Sequence, residues 1–244
     1  MQTDGVNLWR QIAEALTQEI GEDVFAAGAR LPSAPDLAVR FGVNRHTVLR
    51  ALGHLQDEGL IRIERGRGAY VVHKAIPYSM GARTRFEENL YGLNKVPGRT
   101  LISLTDLPAS KSIAAGLAIQ IGEEATMATL LGDADGIPLS YGRNYFPKTR
   151  LPEIREVFRQ AGADIEKRLS ITACLAAVGI TDFRRTSVRI RSRQPNAEEA
   201  KRLQISMTES VLELSVTNVD QNNVPVMYAV TCFSSSRVEF VMDM

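Results

Sequence analysis

Apolar positions in this chain switch between a helical and a strand period, and the switches divide it into elements. Leu8, Ile12, Ala15, Leu16 and Ile20 recur three and four residues apart, which predicts a helix over residues 6–22 with one apolar stripe and Trp9 on its edge. A short helix follows over residues 34–41, with Leu37, Ala38 and Phe41 on its inner face. Ser33 is its N-cap, Pro35 fits a first turn that needs no amide donor, and Gly42 ends it. Asn44 caps a further helix over residues 45–58, where Val48, Ala51, Leu52 and Leu55 point inward and Gly59 is the stop. The period then becomes two: LIRIE, a turn at Arg65-Gly66-Arg67-Gly68 and the returning AYVV predict a hairpin.

Residues 74–80 keep neither period and contain Pro77. They read as a linker, placed at 75–83, between a first domain at 1–74 and a second at 84–244. Beyond it the pattern predicts helices over 84–93, 110–119, 152–160, 164–178 and 196–203. Strands are expected over 100–107, 124–133, 139–146, 182–193, 211–219 and 224–233, with a short edge strand at 237–241. The turns DADGIP and DQNNVP make hairpins of their neighbours. This mixture defines an α+β domain with a mixed or mostly antiparallel sheet.

Charge changes the picture locally rather than globally. The formal net charge is only +1, yet residues 30–74 hold eight bases against four acids, whereas residues 1–29 hold Arg10 against five acids. A positive charge gathered on one element is the footprint expected for DNA. Cys174 and Cys232 are the only cysteines and lie in apolar runs, so buried thiols are expected rather than a disulfide or metal site. No run is apolar and long enough for a signal peptide or a membrane span, which gives a cytoplasmic protein with no membrane partner as the expectation.

Catalytic chemistry is sparse. His46, His54 and His73 all fall in the first domain, so the second has no histidine base. Gly66-x-Gly68 is too short for a dinucleotide fingerprint and precedes a strand, and no metal-ligand spacing occurs. Carboxylate pairs such as Glu87-Glu88 and Glu123-Glu124 lie on expected surface segments. The expectation is a non-enzyme without cofactor or metal.

Two short helices across a tight turn, then a Gly/Arg-tipped hairpin, is the order of a winged helix-turn-helix. In that arrangement Asn44, Arg45, His46, Thr47 and Arg50 stand at the outer, N-terminal side of the recognition helix, with Ser33 at the start of the helix before it. Arg65, Gly66 and Arg67 form a tip able to reach phosphates or the minor groove. In the second domain Arg83 and Arg85 flank Thr84 at a helix start, a candidate anion site. The arginines within 182–193 read as the exposed face of a long strand rather than a nucleic-acid surface.

The stretch from Leu31 to Val72 resembles the winged helix-turn-helix of GntR-family bacterial repressors. Leu31-Pro32-Ser33, Leu37-Ala38, Phe41-Gly42-Val43, Arg45, Thr47-Val48, Ala51-Leu52, Leu55, Glu58-Gly59-Leu60-Ile61 and Gly66-Arg67-Gly68 carry the likeness. Two positions depart from it: Ala34-Pro35 replaces a frequent charged pair, and Leu49 stands where arginine often follows the Thr-Val pair. Asn44-Arg45-His46-Thr47 is similar to the branch that represses phosphonate-utilisation operons. The second domain resembles the UTRA effector domain of the HutC branch through Arg85-Phe86-Glu87, Asp135-Gly136-Ile137-Pro138, Tyr145-Phe146-Pro147 and Ala197-Glu198-Glu199-Ala200.

The resemblance implies a chorismate-lyase-like fold without catalysis, a homodimer on a double-stranded DNA operator, and a small anionic effector that loosens DNA binding. By family position the pocket would draw on Arg83, Arg85, Arg143, Ser170, Thr172 and Tyr228. Sugar-phosphate-binding relatives tend to carry arginines before the Asp-Gly turn, where this chain has Leu130-Leu131-Gly132. Effectors of other kinds (a sugar phosphate, an amino acid, a carboxylate) therefore stay open. So do a second domain that retained enzymatic activity and one that only dimerises.

Overall fold

A computed structural model describes residues 4–22, 24–25, 28–64, 66–72, 75–164 and 168–242, with the backbone alone for 4–7. Contacts divide the chain into two units, Met1–Lys74 and Ala75–Met244.

In the first unit three helices, α1 (Asp4–Gly21), α2 (Ala34–Phe41) and α3 (Arg45–Asp57), precede a hairpin of β1 (Ile61–Glu64) and β2 (Gly68–Val71). Leu16, Leu37, Val48, Ala51 and Leu55 are fully buried in one core, each leucine contributing roughly 1.5–3 kcal/mol. The stripe on α1 is rotated from the expected one. Trp9 is in the core, together with Ile12, Ala13 and Leu16, whereas Leu8 is 39% exposed. His54 of α3 packs on the indole of Trp9, with ring centroids 5.1 Å apart in a T-shaped arrangement.

Local chemistry sets the helix ends as the sequence predicts. Ser33 and Asp36 form a reciprocal capping box at α2, and Gly42 ends that helix at φ 62°, a conformation glycine takes without strain. Asn44 Oδ1 accepts from Thr47 N at 2.9 Å to start α3. The hairpin pairs Ile61 with Val71 and Glu64 with Gly68. The segment before α2 adds to it, with Leu31 N donating to Ala69 O at 2.8 Å and Val71 N to Ala29 O at 2.9 Å. Arg65 lies outside the described residues.

The second unit is built on a six-stranded antiparallel sheet in the order β4-β5-β6-β9-β8-β7. These strands are β4 (Pro97–Pro108), β5 (Glu124–Ala134), β6 (Ile137–Pro147), β7 (Phe183–Arg193), β8 (Val211–Asp220) and β9 (Pro225–Ser234). Among the described residues five helices are interspersed: α4 (Phe86–Tyr91), α5 (Lys111–Leu117), α6 (Ile154–Ala163), α7 (Ile171–Ala177) and α8 (Ala197–Leu203). Alternation along each strand sends side chains to two faces. One face buries Phe146, Val216 and Phe233 under α4, α6 and α7; the other buries Tyr145 and Cys232 under α5 and α8. A Cβ at Gly116 would come within 2.4 Å of the Tyr228 ring, so glycine lets α5 lie directly on the sheet.

Two expectations are corrected here. Residues 76–79 are not a free linker: they form β3 (Ile76–Ser79), parallel to β10 (Val238–Val241). Alternation over only four residues, interrupted by Pro77, hid this strand, whose partner is over 160 positions away. Tyr78 from β3 is 4% exposed, packed against Phe86, Phe233 and Phe240. Nor is 164–178 a single helix, because 168–170 is irregular and only α7 is helical, starting at the Ser170 cap. The expectation for Ile165 within it lies outside the described residues. No helix among the described residues is long and apolar enough to cross a membrane.

Candidate functional site

Two places in the molecule combine exposed or cavity-lining polar groups with a rigid frame. In the first unit it is the outward side of α3. Packing of Val48, Ala51, Leu52 and Leu55 leaves Arg45, His46, Leu49 and Arg50 exposed on the opposite side. Arg45 and His46 occupy the first turn, where a helix presents side chains to base edges. Thr47 and Asn44 are partly committed to each other: Thr47 Oγ1 donates to Asn44 Oδ1 at 3.0 Å, leaving the Asn44 amide NH2 unused by the cap.

Three of the expected contacts have another task in the structure. The Ser33 hydroxyl closes the α2 cap with Asp36 at 2.5 Å. The Arg50 guanidinium rests over the Trp9 ring, 4.7 Å from its centroid. Arg67 is 70% exposed but reaches Glu64 at 3.5 Å. Gly66 takes φ 75° at the hairpin tip. At Gly68, φ 119°, a Cβ would meet Arg30 Nε at 2.7 Å. Arg30 thus packs on the hairpin beside the tip, a neighbour that residue spacing alone did not reveal.

In the second unit a cavity of about 100 Å³ opens between the α4/α7 face of the sheet, β3 and the start of β7. Among the described residues, Arg85, Arg99 and Arg185 line it against a single carboxylate, Glu87. Asn144, Asn218, Ser140 and Thr172 supply neutral polar groups; Tyr78, Phe86, Phe183 and Phe233 supply apolar wall. Arg99 lies over Phe86 at 4.6 Å and meets Glu87 at 3.3 Å, but among the described residues Arg99 Nε and Glu87 Oε1 have no hydrogen-bond partner. Arg85 sits 3.7 Å from the Phe183 ring centroid and donates to the Phe183 carbonyl. Burial, then the neighbouring charge of Arg185, lowers the Arg85 pKa below its ordinary value. Burial raises the Tyr78 phenol against the opposing pull of Arg185 and Arg99.

The expected pocket residues divide over several places. Arg85 and Thr172 line this cavity. Ser170 lines an adjoining cavity of about 240 Å³ that shares Phe86, Glu87 and Arg99 as a wall. Arg83 is turned to the surface, paired with Asp182 at 2.8 Å. Arg143 and Tyr228 belong to the opposite face: Tyr228 stacks on Tyr145 at 6.0 Å, and Arg143 is an exposed neighbour of that tyrosine. A shift of one position along a strand reverses the face, so family position without register misplaced both. At the start of α4, Glu88 Oε2 accepts from Arg85 N at 2.9 Å, so this backbone donor is taken by the helix's own cap and only the Arg85 side chain faces the cavity.

Arg99, Arg185, Tyr78, Asn144 and Asn218 were missed. For Arg185 a signal was present: Phe183 points inward, and a residue two positions on along a strand shares its face. The row of arginines is not one exposed face either. Arg193 is half-buried under α8, bonded to Glu199 at 2.7 and 2.8 Å and to Glu213 at 2.7 Å. The Arg193 guanidinium draws the Glu199 pKa down to about 2. Both cysteines are free and buried, with burial pushing Cys174 up to about 11 and Cys232 up to about 12.

A helix-turn-helix with a β-wing, joined to an α+β unit holding a cation-rich cavity, defines a DNA-binding regulator with an effector domain. Residues 8–71 match the bacterial regulatory proteins of the gntR family, and residues 92–239 match the UTRA domain. The chain belongs to the GntR family of transcriptional regulators, with a UTRA effector domain of the HutC, PhnF-like type. It is 36% identical to the HTH-type transcriptional regulator RB1450 of Rhizobium meliloti (strain 1021), over 98% of this chain and 96% of that one. It is 28% identical to the probable transcriptional regulator PhnF of Escherichia coli (strain K12), over 96% and 94% of the two chains. The crystal structure of PhnF from Mycobacterium smegmatis shares the fold, with a TM-score of 0.64 at 24% identity over 96% of this chain and 98% of that one.

Proposed function

We propose that the protein is a homodimeric repressor that binds a two-fold operator and leaves it when a small anionic metabolite enters the cavity beside Arg85. The observation that carries the reading is the pairing of an exposed α3 first turn, with Arg45 and His46 outward, and a cavity lined by three arginines against one carboxylate. Asn44, Arg45, His46 and Thr47 would read bases, while the wing at Gly66 and Arg67 would hold phosphates. A second copy would cover the open edge of β7, an 11-residue strand with Val188 and Ile190 nearly 40% exposed. The resemblance of Asn44-Arg45-His46-Thr47 to repressors of phosphonate operons, and the likeness to PhnF, favour a phosphonate or related phosphorus-metabolism operon.

Release requires that the effector bind the non-DNA-binding arrangement more tightly than the other. The absence of histidine from 75–244 argues against an enzymatic reading. The test is a footprint of the full chain on the DNA flanking its own gene. A protected inverted repeat that phosphonates or phosphate esters release supports the reading; absence of any protected site contradicts it.

A further inference from the structure

Arg85 and Arg185 share a feature that distinguishes them from Arg99, the third arginine of the cavity. Neither is ion-paired among the described residues. Each is instead held by a backbone carbonyl: Arg85 Nη2 donates to Phe183 O, and Arg185 Nη1 donates to Gly81 O at 2.7 Å. Both are half-buried and line the same cavity, and the charge of Arg185 disfavours that of Arg85. Arg99 adds a third positive charge that Glu87 offsets. A partly desolvated pair of like charges without a directly ion-paired carboxylate is costly, and a ligand with two negative charges reduces that cost. Guanidinium forks suit tetrahedral or planar oxyanions.

We infer that Arg85 and Arg185 form a two-arginine seat for a small dianion, a phosphonate, phosphate ester or compact dicarboxylate. The inference deepens the effector reading above and rests on it. With Leu130-Leu131-Gly132 on β5, that strand offers no cation, and the charge comes instead from the α4 and β7 side. The cavity of about 100 Å³ limits the ligand to a few heavy atoms beyond its anionic head, with Asn144 and Asn218 to receive a polar tail. Arg185 also ties the ligand to the chain leading out of β3. Its side chain holds Gly81, its amide donates to Ala82 O at 2.9 Å, and Tyr78 is buried beside it. A dianion that engages Arg185 competes with Gly81 O for the same guanidinium, at the segment that follows the DNA-binding unit in sequence.

The test is calorimetric titration of the full chain at pH 8 with methylphosphonate, inorganic phosphate and malonate. Methanesulfonate, with the same shape as methylphosphonate and a single charge, is the comparison. At least one dianion binds, methanesulfonate binds about tenfold or more weakly, and R85Q and R185Q each weaken the dianion about tenfold or more, the scale of one charge-assisted contact. R185K retains charge without the fork and falls between, which serves should R185Q not fold. No heat with any dianion, equal affinity for methanesulfonate, or wild-type affinity in both R85Q and R185K overturns the assignment. Operator binding by the same ligand-free preparation reports separately on the regulator reading, which stands or falls without the anion result.

Discussion

Arg50 lies over the indole of Trp9, with its guanidinium carbon 4.7 Å from the ring centroid. This contact ties α3 to α1 through an arginine that stays exposed. Arg50→Ala is expected to cost roughly 0.5–1 kcal/mol of stability and to weaken operator binding less than Arg45→Ala does. Urea unfolding of Arg50→Ala and Trp9→Leu, alone and combined, measures the coupling. Additive effects would show that the two side chains do not interact.

Ser33 is expected to act through the cap rather than through DNA. Ser33→Ala removes the acceptor for Asp36 N and should destabilise the first unit by about 1 kcal/mol, whereas Ser33→Asn restores the cap. Thermal melts of the two variants beside operator titrations separate the roles. An unchanged melting temperature with a large loss of affinity would reassign Ser33 to the DNA surface.

The Arg193–Glu199–Glu213 group makes a pH prediction. Glu199 is 5% exposed and its pKa is lowered to about 2, chiefly by Arg193, from an ordinary value near 4.5. A lowered folded pKa means that the stabilisation is complete above the unfolded value and is lost as pH falls from there towards about 2. Glu199→Gln leaves Arg193 with Glu213 as its remaining carboxylate and should cost roughly 1–3 kcal/mol at neutral pH. Denaturation at several pH values tests it: the gap between wild type and variant narrows on acidification below the ordinary carboxylate range. A gap that does not change with pH contradicts the ion pair.

Cys174 and Cys232 should resist alkylation in the folded protein at pH 8, because burial holds their thiols near 11 and 12. Mass spectrometry after iodoacetamide treatment, with and without denaturant, reads this directly. Rapid modification of either thiol under native conditions would mean that its surroundings open.

The two halves of the chain were unequally legible in the sequence. Caps, stops and helical period placed α2 and α3 correctly, because Ser33, Gly42 and Asn44 act on backbone groups within four residues. Trp9, read as the edge of the α1 stripe, belongs to the core, where it meets His54 of α3, a partner no local pattern names. In the second unit the strands were visible but their register was not. Arg143 and Tyr228 therefore fell on the wrong face, and Arg185 looked like one member of a solvent-facing row. β3 escaped for the same reason, as its partner β10 lies at the other end of the chain.

The central claim, that the outward first turn of α3 is what binds DNA, is tested most directly by Arg45→Ala. The measurement is operator affinity of the full chain at physiological salt, with the melting temperature recorded on the same sample. Arg45 is exposed and has no ion pair or hydrogen bond among the described residues, so the melt should be unchanged while specific affinity falls by about 1–3 kcal/mol or more. Wild-type affinity in a folded Arg45→Ala protein would contradict the account.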